Sequence, residues 1–238
     1  MKKRYIAIGL GIVAVAALLI LWQVSRSRTY QTFGRIVNRV ETTQKIIALT
    51  FDDGPSAELT RPLLDLLERG QVRATFFVTG AELEKNMDRG IRIVAAGHEL
   101  GNHSYSHQRM IFVTPSFVQQ EIERTDALIR EAGYQNEILF RPPNGKKLFV
   151  LPYYLSKAGR TTVTWDIEPD SDTPTTAAEI ARRTIAEARP GSIILLHAMY
   201  PNRAASFNAV RTIIDELKAQ GYEFVTVSEL LAAEAAQS

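Results

Sequence analysis

The stretch Ile46-Ile47-Ala48-Leu49-Thr50-Phe51-Asp52-Asp53-Gly54-Pro55 is an apolar run that stops on two adjacent carboxylates and a turn. Residues 46–50 read as a strand with no polar face, as expected in a parallel sheet covered on both sides. Downstream, Leu59, Leu63, Leu66 and Leu67 recur at helical spacing over residues 59–69, and Gly70 stops the run. Residues 74–78 predict a second strand, residues 81–96 a mainly helical stretch broken near Gly90, and residues 98–102 a short third strand. A helix over 116–131 ends at Gly133, a fourth strand follows at 138–141, and a short helix at 151–158. Residues 161–167, rich in β-branched side chains, predict a fifth strand. A helix over 176–189, a buried strand over 192–196, a helix over 206–220, a strand over 223–227 and a helix over 228–235 complete the chain. About seven βα units argue for a parallel sheet, and that number fits a barrel better than an open sheet. No Gly-rich phosphate loop follows any strand, which counts against the open alternative.

The N-terminus is of a different kind. Residues 5–22 carry no charge, Lys2, Lys3 and Arg4 precede them, and Tyr5 and Trp22 stand where an aromatic belt would lie. At about 1.5 Å per residue such a helix spans roughly 27 Å, close to a hydrocarbon core. The expectation is an uncleaved anchor over residues 1–24, membrane-bound through residues 5–22, with a cytoplasmic N-terminus and the remainder on the external side. A signal peptide cut at Ala14-Val15-Ala16 is the rival, but the apolar run continues past that box to Trp22. Residues 25–45 read as a polar tether or loosely packed lead-in, and 46–238 as the soluble domain.

The chain has 238 residues, 28 Lys and Arg against 26 Asp and Glu, and no Cys. Thiol nucleophiles, disulfides and Cys-ligated metals are therefore excluded. Five of the bases lie in the first 28 residues, where there is no acid, so the rest of the chain is net acidic. A nucleic-acid partner loses its electrostatic support, and no motif calls for a protein partner.

In a βα fold the loops after the strand ends build the site, and the chemically capable residues gather there. Asp52 and Asp53 end the first strand and His103 and His107 follow the third; Arg141 and Asn144 follow the fourth, and His197 closes the sixth. On one helical turn His103 and His107 share a face and can bind one metal. Adjacent carboxylates on a strand point to different sides, so one can ligate while the other faces a bound water. Singly these are a surface His pair, a turn, a salt-bridge arginine and a core histidine. Their convergence on one end of successive strands is what argues for a site.

The strings Thr50-Phe51-Asp52-Asp53-Gly54-Pro55, Gly97-His98-Glu99-Leu100-Gly101-Asn102-His103-Ser104-Tyr105-Ser106-His107, Arg141-Pro142-Pro143-Asn144-Gly145 and Leu195-Leu196-His197 follow one another in this order. Together they resemble the polysaccharide deacetylases of carbohydrate esterase family 4, the NodB-homology domain, over about residues 45–227. The resemblance implies a distorted (β/α) barrel of about seven parallel strands and metal-dependent removal of acetyl groups from N-acetylated amino sugars of an envelope or extracellular glycan. It implies Asp53, His103 and His107 as ligands of one divalent metal, zinc or else cobalt, nickel or manganese. Asp52 is implied as the base, paired with Arg141, and His197 as the acid. The backbone N–H of Asn144, the first donor after two prolines, is implied at the oxyanion. O-deacetylation of a polysaccharide and deacylation of a lipid-linked sugar use the same chemistry; an inactive glycan-binding domain is the alternative of another class. Two departures stand out. Asn144 replaces a commonly aromatic residue, and the usual Asp that orients the acid histidine falls by spacing on Ser171. Asp166, Glu168 or Asp172 are the candidates for that role. His98 reads as structural, Tyr105 and Ser106 as spacers of the ligand turn, and Trp165 as core.

Overall fold

The computed structural model describes residues 2–171 and 175–235. In chain order the regular elements are α1 (Lys2–Arg26), β1 (Ile36–Val37), β2 (Ile46–Asp53), α2 (Thr60–Gly70), β3 (Thr75–Val78), α3 (Gly80–Lys85), α4 (Met87–Ala95) and β4 (Glu99–Asn102). Then come α5 (Pro115–Glu131), α6 (Val150–Lys157), β5 (Thr162–Val163), α7 (Ala177–Glu187), β6 (Ile193–Leu196), α8 (Ala204–Ala219), β7 (Glu223–Val225) and α9 (Val227–Ala235).

β2 is the hub. It pairs in parallel with β3 (Thr50 opposite Thr75), with β6 (Ala48 opposite Ile193) and, at its start, with β7 (Ile46 opposite Glu223). β4 continues the sheet beyond β3. Buried on both faces, β2 needs an unbroken apolar run, which its sequence supplies until the carboxylates. Ile47, Leu49 and Phe51 join the core beneath the helices, while Ala48 packs inward with Phe77, Val163, Trp165 and Leu195. Single parallel bridges carry the pairing from Asn102 to Phe140, from Phe140 to Thr162, and from Ile167 to Ile194 on β6.

Several local expectations change. Residues 138–141 form only the bridge at Phe140, because Pro142 and Pro143 have no N–H to extend a ladder and the Arg141 carbonyl faces His103. The strand expected over 161–167 shrinks to β5, since the Thr164 carbonyl accepts from the Arg141 guanidinium instead. The helical stretch over 81–96 breaks at Asn86 rather than Gly90. The Asn86 amide donates to the Pro55 and Glu82 carbonyls, whereas Gly90 lies within α4 and is packed under Leu83, with no room for a Cβ.

Residues 25–45 are not a loose tether. β1 pairs with β5, Val40 is fully buried with its N–H on the Gly191 carbonyl, and the Lys147 N–H bonds the Ser25 carbonyl at 3.0 Å. The polar composition of this stretch hid the fact that two of its apolar side chains, Val37 and Val40, are buried. Within α1, Ile8–Arg26 is the one candidate span among the described residues, long and apolar enough to cross a membrane.

Candidate active site

The ends of β2 and β4 bring three potential ligand atoms together. Oδ1 of Asp53 lies 3.2 Å from Nε2 of His107 and 3.8 Å from Nε2 of His103, and all three atoms fall within 4.8 Å of one another. His103 is 2% exposed and its Nδ1 lies 2.8 Å from the Arg141 carbonyl. A carbonyl only accepts, so the proton sits on Nδ1 and the Nε2 lone pair faces the cluster. Burial, reinforced by the neighbouring His107, pushes His103 down to about 3 and keeps it neutral. Oδ1 of Asp53 is buried without a hydrogen-bond partner among the described residues. An unpartnered carboxylate oxygen facing imidazole nitrogens is costly unless a cation compensates it. Two histidines and a carboxylate are a donor set suited to a divalent ion such as zinc, so the residues present fit one.

The backbone places them differently from a strand end followed by a helical turn. Asp53 has φ of 80°, which breaks the strand alternation and brings its carboxylate to the same histidine as that of Asp52. Residues 103–107 form a loop, not a helical turn, with Ser104 and His107 left-handed at φ of 64° and 58°. Polar groups hold that loop. The Asn102 carboxamide oxygen accepts from the Ser104 N–H, and Oε2 of buried Glu121, on α5, accepts from the N–H groups of Tyr105 and Ser106.

Asp52 is 2% exposed. Its Oδ1 takes a 2.6 Å hydrogen bond from Arg141, while Oδ2 lies 3.5 Å from Nε2 of His103. Burial raises the Asp52 carboxyl above its ordinary range, opposed chiefly by Arg141. Arg141 is fully buried; it also donates to the Thr50 hydroxyl and the Thr164 carbonyl and lies over the Phe77 ring. These four contacts leave the guanidinium one orientation, which in turn fixes Asp52.

His197, just beyond β6, faces Asp170. Its backbone N–H donates to Oδ2 at 2.7 Å and its Nδ1 lies 3.1 Å from Oδ1. Burial by itself lowers the His197 pKa, but the hydrogen bond and charge of Asp170, with Asp52 and Asp53 adding, outweigh it and raise His197 to about 9. Burial pushes Asp170 upward, yet the bonds from His197 and the Ser206 hydroxyl hold it below its usual range. The site thus places a histidine whose pKa is raised and a buried carboxylate whose pKa is raised within electrostatic reach of each other.

A family model described as polysaccharide deacetylase matches residues 39–178, more than half of the chain. The chain belongs to the polysaccharide deacetylase family. It is 35% identical over 189 residues to the peptidoglycan-N-acetylglucosamine deacetylase PgdA of Listeria monocytogenes, a match over 79% of this chain but only 39% of that protein. The chain thus spans well under half of that relative's length. A peptidoglycan-N-acetylglucosamine deacetylase of Bacillus cereus is 35% identical over 200 residues, covering 83% of this chain and 93% of that protein. A solved peptidoglycan N-acetylglucosamine deacetylase superposes with a TM-score of 0.77 at 31% identity, over 81% of this chain and 91% of the other.

Within this family frame, the structure gathers Asp52, Asp53, His103, His107, Arg141 and His197 at one end of the strands. Asn144 stands on the same loop as Arg141, exposed and left-handed at φ of 55°. The partner of His197 is a correction. Asp166 instead binds the Ser192 hydroxyl and the Ile193 N–H, Glu168 binds the Trp165 indole, and Asp172 lies outside the described residues. Asp170, one position before Ser171, holds the histidine. Counting from Trp165 missed it because the loop is one residue shorter to its carboxylate. Glu121 was also missed, being 14 residues beyond His107 on a helix face that reads as ordinary surface. His98 is structural, as expected, its Nδ1 accepting the Ala74 N–H.

Proposed function

We propose that this chain is a metal-dependent hydrolase that removes acetyl groups from N-acetylated amino sugars of an envelope glycan, peptidoglycan being the first candidate. The observation that carries the reading is the Asp53, His103 and His107 cluster with an Arg141-held carboxylate beside it and an Asp170-held histidine coupled to both carboxylates. Its relatives' named substrates support the choice of glycan.

Asp53, His103 and His107 would hold the ion, zinc first and cobalt, nickel or manganese as alternatives. When bound, such an ion lowers the pKa of water and polarises a carbonyl as a Lewis acid. Asp52 takes the proton of the attacking water through Oδ2, the oxygen that Arg141 leaves free. Its raised pKa brings it closer to the working pH, which favours a base. The Asn144 N–H donates to the oxyanion of the tetrahedral centre. His197 passes its proton to the departing sugar amine, and Asp170 keeps the ring charged and oriented until then. The products are acetate and a free amine.

The circuit of pairings through Phe140, Thr162 and Ile167 supports a distorted (β/α) barrel of about seven strands. α1 is long and apolar enough for a single-pass anchor, and the apolar run past Ala14-Val15-Ala16 to Trp22 favours its retention, with the domain outside the cytoplasmic membrane. The domain then runs over 46–238, and residues 25–45 line it.

Acetate release from peptidoglycan, chitooligosaccharide and acetylxylan tests the activity and ranks N- against O-acetyl substrates. Asp52→Asn keeps the shape but cannot accept a proton. It should lose on the order of 10²–10⁴ in kcat while keeping full metal content. Near wild-type turnover, or rescue by added zinc, would overturn the assignment, and no acetate from any glycan would favour a binding domain.

A further inference from the structure

We infer that the face of the domain beside the end of α1 rests on the bilayer surface, docked through aromatic side chains set among cations onto anionic headgroups. The inference rests on the reading of α1 as a retained span.

Outside α1, six large apolar side chains are exposed among the described residues. Four of them, Phe33, Phe112, Phe149 and Tyr153, line two neighbouring grooves. The larger, of about 400 Å³, has Phe33, Phe149 and Tyr153 in its walls with Lys157 at its edge. The smaller, of about 240 Å³, is shared between the two parts of the chain: Leu18, Leu21 and Trp22 of α1 face Ile111, Phe112 and Leu148 of the domain. Leu148 in one groove and Phe149 in the other are consecutive, which sets the two grooves side by side. Phe112 is 81% exposed at φ of 52°, a conformation costly for a bulky residue and one that holds the ring away from the core.

The depth of these grooves follows from the helix. With 1.5 Å of rise per residue, Leu18 lies about 12 Å before Arg26 along the axis. Whatever touches Leu18 and Trp22 while α1 spans a bilayer stands at the boundary between acyl chains and headgroups, where aromatic rings are favoured. Charge complements it. Lys146 lies with its Nζ 4.4 Å from the Trp22 ring centroid, and its pKa is lowered by burial and then by the nearby charges of Arg26 and Arg109. Three cations crowded beside the end of a span, with Lys157 at the edge of the larger groove, suit anionic lipid. Two acids of this region are engaged: Glu123 with the Tyr154 hydroxyl, and Glu168 with Arg28. The contact also sets the catalytic loop near the membrane, since Lys147, three residues after Asn144, is tied by its N–H to Ser25.

The absence of cysteine allows single labels to be introduced without removing any other residue. The full chain carrying Phe112→Cys, Phe149→Cys, Ile91→Cys or Val15→Cys, each with a fluorophore, is reconstituted in phosphatidylglycerol vesicles. Quenching is then measured with acrylamide in the water and with a nitroxide on the lipid. Labels at 112 and 149 should be quenched severalfold more by lipid nitroxide, and severalfold less by acrylamide, than the label at 91. Labels at 112 and 149 open to acrylamide like 91, with 15 still quenched from the lipid, would overturn the docking while leaving the anchor intact. Shielding from both quenchers would mean a second protein copy on this face and would overturn it too. A label at 15 that only acrylamide reaches would overturn the docking and the anchor together.

Discussion

His103 and His197 are the same residue type at the same end of one sheet, and they are held in opposite charge states. The Nδ1 of His103 faces a backbone carbonyl, and burial leaves the ring neutral, down at about 3. The Nδ1 of His197 faces a carboxylate, and despite burial the ring is raised to about 9. In both, Nδ1 carries the proton; what differs is whether its acceptor brings a full negative charge. A neutral imidazole presents a lone pair to a cation, and an imidazolium presents a proton to a leaving amine. The partner of Nδ1 thus divides a neutral ring from a charged one within one site.

The largest expected effect separates the two histidines outright. His103→Ala should lose metal and turnover together, with stoichiometry read by elemental analysis. His197→Ala should keep the metal and lose on the order of 10²–10⁴ in kcat, with a smaller loss on substrates bearing a better leaving group. A His103→Ala protein with full metal content would break the comparison at once.

A second variant sharpens it by removing the charge and sparing the shape. Asp170→Asn should draw His197 back toward the ordinary histidine value, about 6.5. The alkaline limb of kcat/KM should then move to lower pH. The stability consequence has a defined sign. A histidine raised from about 6.5 in the unfolded chain contributes fully below that pH, and the contribution fades as pH rises through 9. Asp170 is lowered, so its own contribution is present at neutral pH and is lost as pH falls into the acid range. Asp170→Asn should therefore cost about 2 kcal/mol at pH 7, the scale of a hydrogen bond to a charged group. The deficit seen in denaturant melts should narrow above pH 9.

The smallest effect belongs to the loop carrying His107. Glu121→Ala removes the acceptor of the Tyr105 and Ser106 N–H groups. It should weaken metal affinity about 10–100-fold, the usual scale for groups that orient ligands. Metal titration by calorimetry reads it directly, and unchanged affinity would show that the left-handed loop holds itself.

Much of this was legible in the chain. Fully buried strands announce themselves as unbroken apolar runs, so β2, β3 and β6 lie within a residue or a few of their expected places, and the polar residues that close them mark the site. The parts that were not legible depend on distant partners. β1 is two residues long and becomes a strand only because β5 lies beside it. The left-handed backbone of Asp53, Ser104 and His107 uses no glycine, so no residue type advertises it. Asp170 sits between Pro169 and Ser171 in a stretch with four acids, and only the path of the loop selects it.

The opposite tuning of the two histidines is open to nitrogen-detected NMR of the imidazole rings. In the metal-free chain at pH 7.5, His197 should give the signals of a doubly protonated ring and titrate near 9. Asp170→Asn identifies its signals. His103, identified by their loss in His103→Ala, should remain neutral with its proton on Nδ1 down to at least pH 5. A neutral His197 at pH 7.5, or a His103 that titrates near 6.5, would show that the partner of Nδ1 does not set the charge of the ring.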